Sequence, residues 1–455
     1  MNSVNDDLLK LVSKYNVPGP RYTSYPTAVQ FSENFDKDQL NENVAMLAIE
    51  AAPVSLYIHI PFCHSLCWYC GCTKVITKNP ASADRYLDYL EKEMELVSAG
   101  LHPDIQVKQI HFGGGTPTFL SPIQLRRLGA SIHHYFNLHT DVEFSVEIDP
   151  RRVSEEHIST LQEIGCNRAS IGVQDTNVDV QKAIHRIQPF NQTEKVTRFL
   201  RKYGMNSINM DLIYGLPKQT LQTFKKTIED AVSLNPDRFA IYSYAHIPSV
   251  MPSQKLLNED DLPETNEKLR FLVYAIETLP KYGYTFIGMD HFAKDNDELS
   301  LALRNGTLQR NFQGYSTHAD LNMIGLGMSA ISQNNRFYTQ NEKDLQDYYD
   351  ALDRNRLPVR KLLKLTDDDQ LRKQIIMQIM CKGELHYDLI QTSFKKTFST
   401  EIEHLKRFEE DGLLTNHESG FKITSPGRLF IRNIAMVFDD YLKEKQHQTS
   451  YSKTV

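Results

Sequence analysis

The chain has 455 residues, with 51 Lys plus Arg against 57 Asp plus Glu for a net charge of -6, and is 40% hydrophobic and 24% charged. That is room for one large domain with accessories or for two to three ordinary ones. A mean hydropathy of -0.44 and apolar runs no longer than a strand predict no membrane insertion. The opening MNSVNDDLLKLVSKYN has no apolar core of the signal-peptide kind, so the expected place is the cytoplasm. An acidic balance without a long basic run offers no electrostatic footprint for nucleic acid.

In chain order, the first 50 residues hold GPRYTSYPTA at 19–28, too aromatic and too interrupted by Pro and Gly for a disordered tail. It reads as an extended segment lying on the body. From about 54 to 245 one pattern repeats: a short β-branched or apolar run, a polar or Gly/Pro turn, then apolar residues at helical spacing. The predicted strands are Val54 to Ile60, Val107 to Phe112, Val142 to Ile148, Ala169 to Val173, Ser207 to Ile213 and Arg238 to Tyr244. Between them Tyr86, Leu90, Met94 and Val97 share a helix face, as do Ile158, Leu161 and Ile164 before a stop at Gly165. Ser121-Pro122 has the form of an N-cap with proline at the first helical position.

This βα repeat places the chain in the α/β class, with either an open doubly wound sheet or a closed or partial barrel. In both, ligands meet the C-terminal ends of the strands, where Cys63 to Cys72, Gly113 to Thr116, Glu147 and Asp149 lie. After about residue 360 helical periods take over (Leu371, Ile375, Ile376, Ile379), followed over Phe408 to Phe430 by a helix and a small β-wing. That is a winged-helix-like module. Its glutamates at 401, 403, 409 and 410 and Asp411 favour a cap on the body over a DNA reader. The expected organisation is an N-terminal segment over the active site (1–50), a catalytic domain (51–345) and a C-terminal helical cap (360–455).

Four of the six cysteines fall at 63, 67, 70 and 72, the distribution of a metal site and not of a disulfide scaffold. The core C-x3-C-x2-C supplies three thiolates. Three can hold three irons of a cubane and leave the fourth iron open, whereas structural zinc needs four ligands, here completed by Cys72 or His64. No second CxxC or HxxxH pairs with the loop, which lowers the zinc reading. Gly113-Gly114-Gly115-Thr116 is neither a Walker loop nor GxGxxG. Placed one strand after the cysteines, it can approach the amino group of a methionine moiety chelating an open iron.

With LYIHIPFCxxxCxYCGC, HFGGGTPT, VEIDPR, GVQD, NMDLIYGLPKQT, YAHIP, IGMDHFAK, RNFQGY, GMSAIS and PGRLFIRN, the sequence resembles the radical S-adenosylmethionine superfamily. Within it, the chain is similar to the oxygen-independent coproporphyrinogen III oxidases over nearly its full length. The resemblance implies a partial (βα)6 barrel with a helical C-terminal cap, and a 4Fe-4S cluster on Cys63, Cys67 and Cys70. It also implies two molecules of S-adenosylmethionine. Tyr69, Gly115, Thr116, Gln174, Arg186, Asp211 and Ala245 match positions around the cluster-bound molecule. Tyr57, Gly114, Glu147, Phe312, Gln313 and Ile331 match those near the second, and Tyr57, His59, Cys72 and Glu147 are the expected catalytic residues.

The implied reaction is oxidative decarboxylation of the ring A and B propionates of coproporphyrinogen III to vinyl groups, through a 5'-deoxyadenosyl radical and without dioxygen. The implied partners are this substrate and a reductant such as flavodoxin or ferredoxin, with a monomer expected. Arg21, Arg186 and Arg310 are the cations expected to meet the propionates. Thr176 and His318-Ala319 depart from the family pattern near the expected substrate cavity. The rival reading is a haem chaperone of the same superfamily, opposed by the GPRYTSYPTA segment and by Cys72.

Overall fold

The protein is described here from a computed structural model over residues 6–49, 51–318, 321–390, 394–443 and 451–454. Six parallel strands stand side by side in chain order: β1 (Val54–Ile60), β2 (Val107–Gly114), β3 (Leu138–Ile148), β4 (Arg168–Gln174), β5 (Ser207–Tyr214) and β6 (Arg238–Ser243). Helices such as Ala81–Ala99, Pro122–Tyr135, Glu155–Glu163, Phe190–Lys202 and Leu221–Ser233 return the chain between them. Ser121 caps its helix by accepting from the Gln124 amide, with Pro122 at the first helical position. Gly165, at φ +101, follows the helix end at Ile164 in the left-handed region that glycine tolerates.

The sheet does not close on itself. Beyond β6 it adds β7 (Tyr284–Gly288) and β8 (His291–Lys294), with β8 antiparallel to β6 and β7 outermost. On the other side of β1 come β9 (Asn322–Leu326), parallel to β1, and then the antiparallel β10 (Ile331–Gln333), β11 (Phe337–Asn341) and β12 (Val359–Lys364). The result is a partial barrel of six βα strands inside a sheet of twelve. Reading six strands from sequence missed β7 to β12, which are short, three to six residues each, and antiparallel for the most part. The strand β12 continues the large sheet past residue 345.

The two faces of the central strands differ. Along β1, Leu56, Ile58 and Ile60 are fully buried under the helices, while Tyr57 and His59 turn inward to a cavity. The same alternation puts Ile110, Phe112, Phe144 and Val146 into the outer core and Gln109, His111, Ser145 and Glu147 inside. The apolar layer between sheet and helices therefore carries the stability, and the polar interior is left free for ligands.

The C-terminal module packs the helix Asp367–Lys382 and the helix Ser399–Glu410 against a three-stranded wing (Glu384–His386, Leu414–His417, Gly420–Ile423). Its core includes Ile375, Ile376, Ile379, Phe408, Phe421 and Phe430. The extended N-terminal segment is clamped between module and sheet. Tyr22 donates to Asp439 at 2.9 Å, Arg432 donates to the Pro20 carbonyl at 2.8 Å, and Tyr338 donates to the Tyr25 carbonyl at 3.0 Å. Among the described residues no helix is long and apolar enough to cross a membrane.

Candidate active site

Two cavities occupy the C-terminal end and the interior of the barrel. The outer one is lined by Cys63, Cys67, Cys70, Tyr69, Gly115, Thr116, Gln174 and Arg186. The inner one is lined by Tyr57, His59, Phe312, Gln313 and Ile331. They share a wall made of Cys72, Gly114, Glu147, Ser170, Asp211 and Tyr242. Ala245 lines neither; its carbonyl accepts from Gln254 Nε2 at 3.1 Å.

The cysteine loop leaves β1 and is fastened to the glycine run after β2. The Gly115 amide donates to the Ile60 carbonyl at 2.8 Å and the Thr116 amide to the Phe62 carbonyl at 2.9 Å. A Cβ on Gly115 would collide with the Pro61 carbonyl, which is why the run must be glycine here. Cys63 Sγ lies 3.3 Å from Thr116 Oγ1. Cys67 Sγ faces two guanidinium groups, Arg151 at 3.5 Å and Arg186 at 3.6 Å. Burial pushes the Cys63 thiol up to about 11. A hydrogen bond from Cys72 holds Cys70 down to about 6 and pushes Cys72 itself up.

Arg186 is buried, and its two terminal nitrogens are engaged: Nη1 lies 3.2 Å from Asp149 and Nη2 is 2.7 Å from the Gly172 carbonyl, while Nε has no partner. Burial alone would raise the Asp149 carboxyl, but Arg186 and Arg151 hold it far below the usual range. The cations expected at the propionates are thus placed differently. Arg186 clamps a carboxylate of its own chain, and Arg310, 8% exposed, donates to the Tyr22 and Arg21 carbonyls. Arg21 pairs with Asp290, keeps 32% of its side chain exposed, and lies 5.6 Å over the ring of Tyr242.

Inside the barrel, Tyr57 Oη contacts His59 Nδ1 at 3.1 Å and His59 Nε2 contacts the Thr73 carbonyl at 3.0 Å. The carbonyl can only accept, so Nε2 carries the proton and Nδ1 accepts from Tyr57. His59 thereby ties the strand to the residue after Cys72. Burial lowers the His59 pKa, consistent with this neutral form. Asp211 accepts from Ser170 at 2.8 Å and Asn209 at 2.8 Å, and burial pushes its carboxyl up to about 6. Glu147 accepts from the Gly114 amide at 3.3 Å and contacts His111 at 3.2 Å.

The structure thus brings every expected cluster, cofactor and catalytic residue except Ala245 to the walls of one bipartite cavity, whereas the expected substrate cations Arg21 and Arg310 line neither part. Sequence reasoning missed Arg151, His111 and Ser145. The signal for the last two was present: polar residues at alternate positions of strands whose other face is wholly apolar.

The family comparisons agree with this geometry. Residues 57–231 match the radical SAM superfamily and 365–430 the HemN C-terminal domain. The oxygen-independent coproporphyrinogen III oxidase of Helicobacter pylori is 46% identical over 97% of this chain and 98% of its own length. The chain belongs to that family. The Escherichia coli protein of the same name is 42% identical over 98% of both chains. The solved structure of coproporphyrinogen III oxidase (HemN) from E. coli, described as a radical SAM enzyme, superposes with a TM-score of 0.90 at 41% identity, covering 95% of this chain and 98% of the other.

As a radical SAM protein the chain uses a 4Fe-4S cluster and S-adenosylmethionine, and its own donors fit them. Three thiolates on one loop, Cys63, Cys67 and Cys70, line one cavity, and each can address a different iron. Two guanidinium groups beside Cys67 also suit an anionic sulfur cluster.

Proposed function

We propose that this protein carries out the anaerobic oxidative decarboxylation of the ring A and B propionates of coproporphyrinogen III, giving the vinyl groups of protoporphyrinogen IX. The observation that carries the reading is the wall shared by the two cavities, because it lets a cluster-side site and an interior site communicate through Cys72, Glu147 and Asp211. Cys63, Cys67 and Cys70 would hold the cluster, with Thr116, Gln174 and Asp211 around the adjacent S-adenosylmethionine. Tyr57, Gly114, Glu147, Phe312, Gln313 and Ile331 would hold a second molecule.

When bound, these cofactors supply a 5'-deoxyadenosyl radical able to take a hydrogen atom from a propionate β-carbon. The propionate would then release carbon dioxide and pass one electron to an external one-electron acceptor, leaving the vinyl group. The protein's share is position. Tyr57, His59 and His111 fix the interior wall, Glu147 and Asp211 offer acceptors to ribose hydroxyls or an ammonium, and the apolar layer between sheet and helices holds these strands in place. Arg21, the one of the three expected arginines whose side chain keeps partial exposure, over Tyr242 of the shared cavity wall, is the proposed contact for a substrate carboxylate.

The electron source would be a small one-electron reductant such as flavodoxin or ferredoxin, acting on a monomer in the cytoplasm. The reconstituted protein, given dithionite, S-adenosylmethionine and coproporphyrinogen III without oxygen, should form protoporphyrinogen. Stable retention of added haem with no vinyl product would establish the chaperone reading instead.

A further inference from the structure

The interior cavity contains a polar row, Tyr57, His111, Ser145 and Glu147, whose contacts with one another the proposed function leaves unassigned. Strand register sets Tyr57 opposite His111 and His111 opposite Ser145, so three inward side chains lie abreast on β1, β2 and β3. Glu147, two residues beyond Ser145, points to the same face. The rings of Tyr57 and His111 stack at 5.9 Å and 14°. His111 Nδ1 is 2.6 Å from Ser145 Oγ and Nε2 is 3.2 Å from Glu147 Oε1. The other carboxylate oxygen of Glu147 accepts from the Gly114 amide. Gly113 permits the convergence: a Cβ there would stand 3.0 Å from Glu147 Oε1, 3.1 Å from His111 Nε2 and 3.1 Å from the Tyr57 ring.

We propose that His111 is a positioning residue, which fixes the Glu147 carboxylate and the Tyr57 ring toward the ligand of the interior cavity. This rests on the reading that Glu147 receives a second S-adenosylmethionine. A carboxylate cannot donate, so the proton in the Nε2 contact belongs to His111. Ser145 then gives its hydroxyl proton to Nδ1. If Nδ1 is itself protonated, the Ser145 hydroxyl can turn to the Ile110 carbonyl, 3.3 Å away, and accept from the ring. The imidazole keeps its hold on Glu147 in either state. Both carboxylate oxygens are anchored by the protein, and the side chain of Glu147, 44% exposed, still faces the cavity. One hydrogen bond fixes each oxygen, so loss of His111 frees the carboxylate to rotate away from its ligand.

The test is the number and affinity of S-adenosylmethionine molecules bound by anaerobically reconstituted protein, measured by equilibrium dialysis for wild type, His111→Gln and His111→Leu, alongside iron content and melting temperature. A carboxamide can donate to Glu147 and accept from Ser145, whereas leucine can do neither. The expected result is full iron in both variants, with the weaker site of His111→Leu losing about 10- to 100-fold in affinity and that of His111→Gln staying within about threefold of wild type. Should His111→Leu fail to fold, Ser145→Ala replaces it, with a loss in the same direction at the same site.

Wild-type affinity at both sites in His111→Leu, or equal losses in the Leu and Gln variants at unchanged melting temperature, would overturn the assignment. A wild-type protein that binds a single molecule would instead refute the two-molecule reading on which it rests, which sets the two failures apart.

Discussion

One nitrogen of Arg186 stands 3.2 Å from the Asp149 carboxylate and 3.6 Å from the Cys67 sulfur, so the salt bridge under the cluster loop and the cluster ligand share a single guanidinium. Arg151 reaches the same two partners. Replacing Arg186 by Gln leaves Asp149, itself mostly buried, with one cation in place of two. Breaking such a pair costs about 3–5 kcal/mol. Urea unfolding of Arg186→Gln should show a loss of that order, and Arg186→Gln combined with Asp149→Asn should recover part of it. Full additivity of the two losses would contradict the coupling.

Two glycines of one run should fail in different ways. The Cβ of Gly115→Ala would press on the Pro61 backbone, which cannot yield without moving the cysteine loop, so iron should not be retained after reconstitution. The Cβ of Gly113→Ala would meet side chains at 3.0 to 3.1 Å, and these can give by a few tenths of an ångström. Iron should stay near wild type while turnover falls. Iron analysis and product assay on the same two preparations separate the cases.

The four clustered cysteines divide by position. Cys63, Cys67 and Cys70 line only the outer cavity, whereas Cys72 lines both. Alanine at 63, 67 or 70 should remove most cluster iron, and Cys72→Ala should keep near-normal iron and sulfide with reduced turnover. Loss of iron in Cys72→Ala equal to that in Cys67→Ala would make Cys72 a ligand.

Glu93 gives a pH dependence remote from the cluster. It is 1% exposed and accepts from Tyr348 at 2.7 Å, the Gly327 amide at 2.7 Å and Asn341 at 2.6 Å. Burial outweighs these three donors and pushes its carboxyl from 4.5 up to about 7. Because the folded value lies above the unfolded one, the contribution is fully present below pH 4.5 and is lost as pH rises through about 7. The full span is about 3 kcal/mol. Glu93→Gln should flatten this part of the stability profile between pH 4.5 and 8, measured by urea midpoints. An unchanged slope in the variant would assign the titration elsewhere.

Much of this was legible in the sequence because the barrel strands write their two faces in alternation. In VSLYIHI the residues Leu56, Ile58 and Ile60 face the helices while Tyr57 and His59 face the cavity, and the cysteine spacing marks the outer site directly. The partners of the arginines were not legible. Arg186 meets Asp149 across 37 residues and Arg310 meets the carbonyls of Arg21 and Tyr22 across nearly 290, separations that no local pattern encodes. The strands β10 and β11 escaped for another reason: they are short, and β11 is buried along its whole length, so neither shows the alternation that reveals a strand.

The central claim is tested most directly by counting products from a single anaerobic reaction. With coproporphyrinogen III, S-adenosylmethionine and a reductant, the account predicts protoporphyrinogen, with about two molecules each of 5'-deoxyadenosine and carbon dioxide for every molecule of it, one radical per propionate. The absence of vinyl product from iron-loaded protein would contradict the assigned reaction. Vinyl product accompanied by a single 5'-deoxyadenosine would contradict the requirement for one radical per decarboxylation.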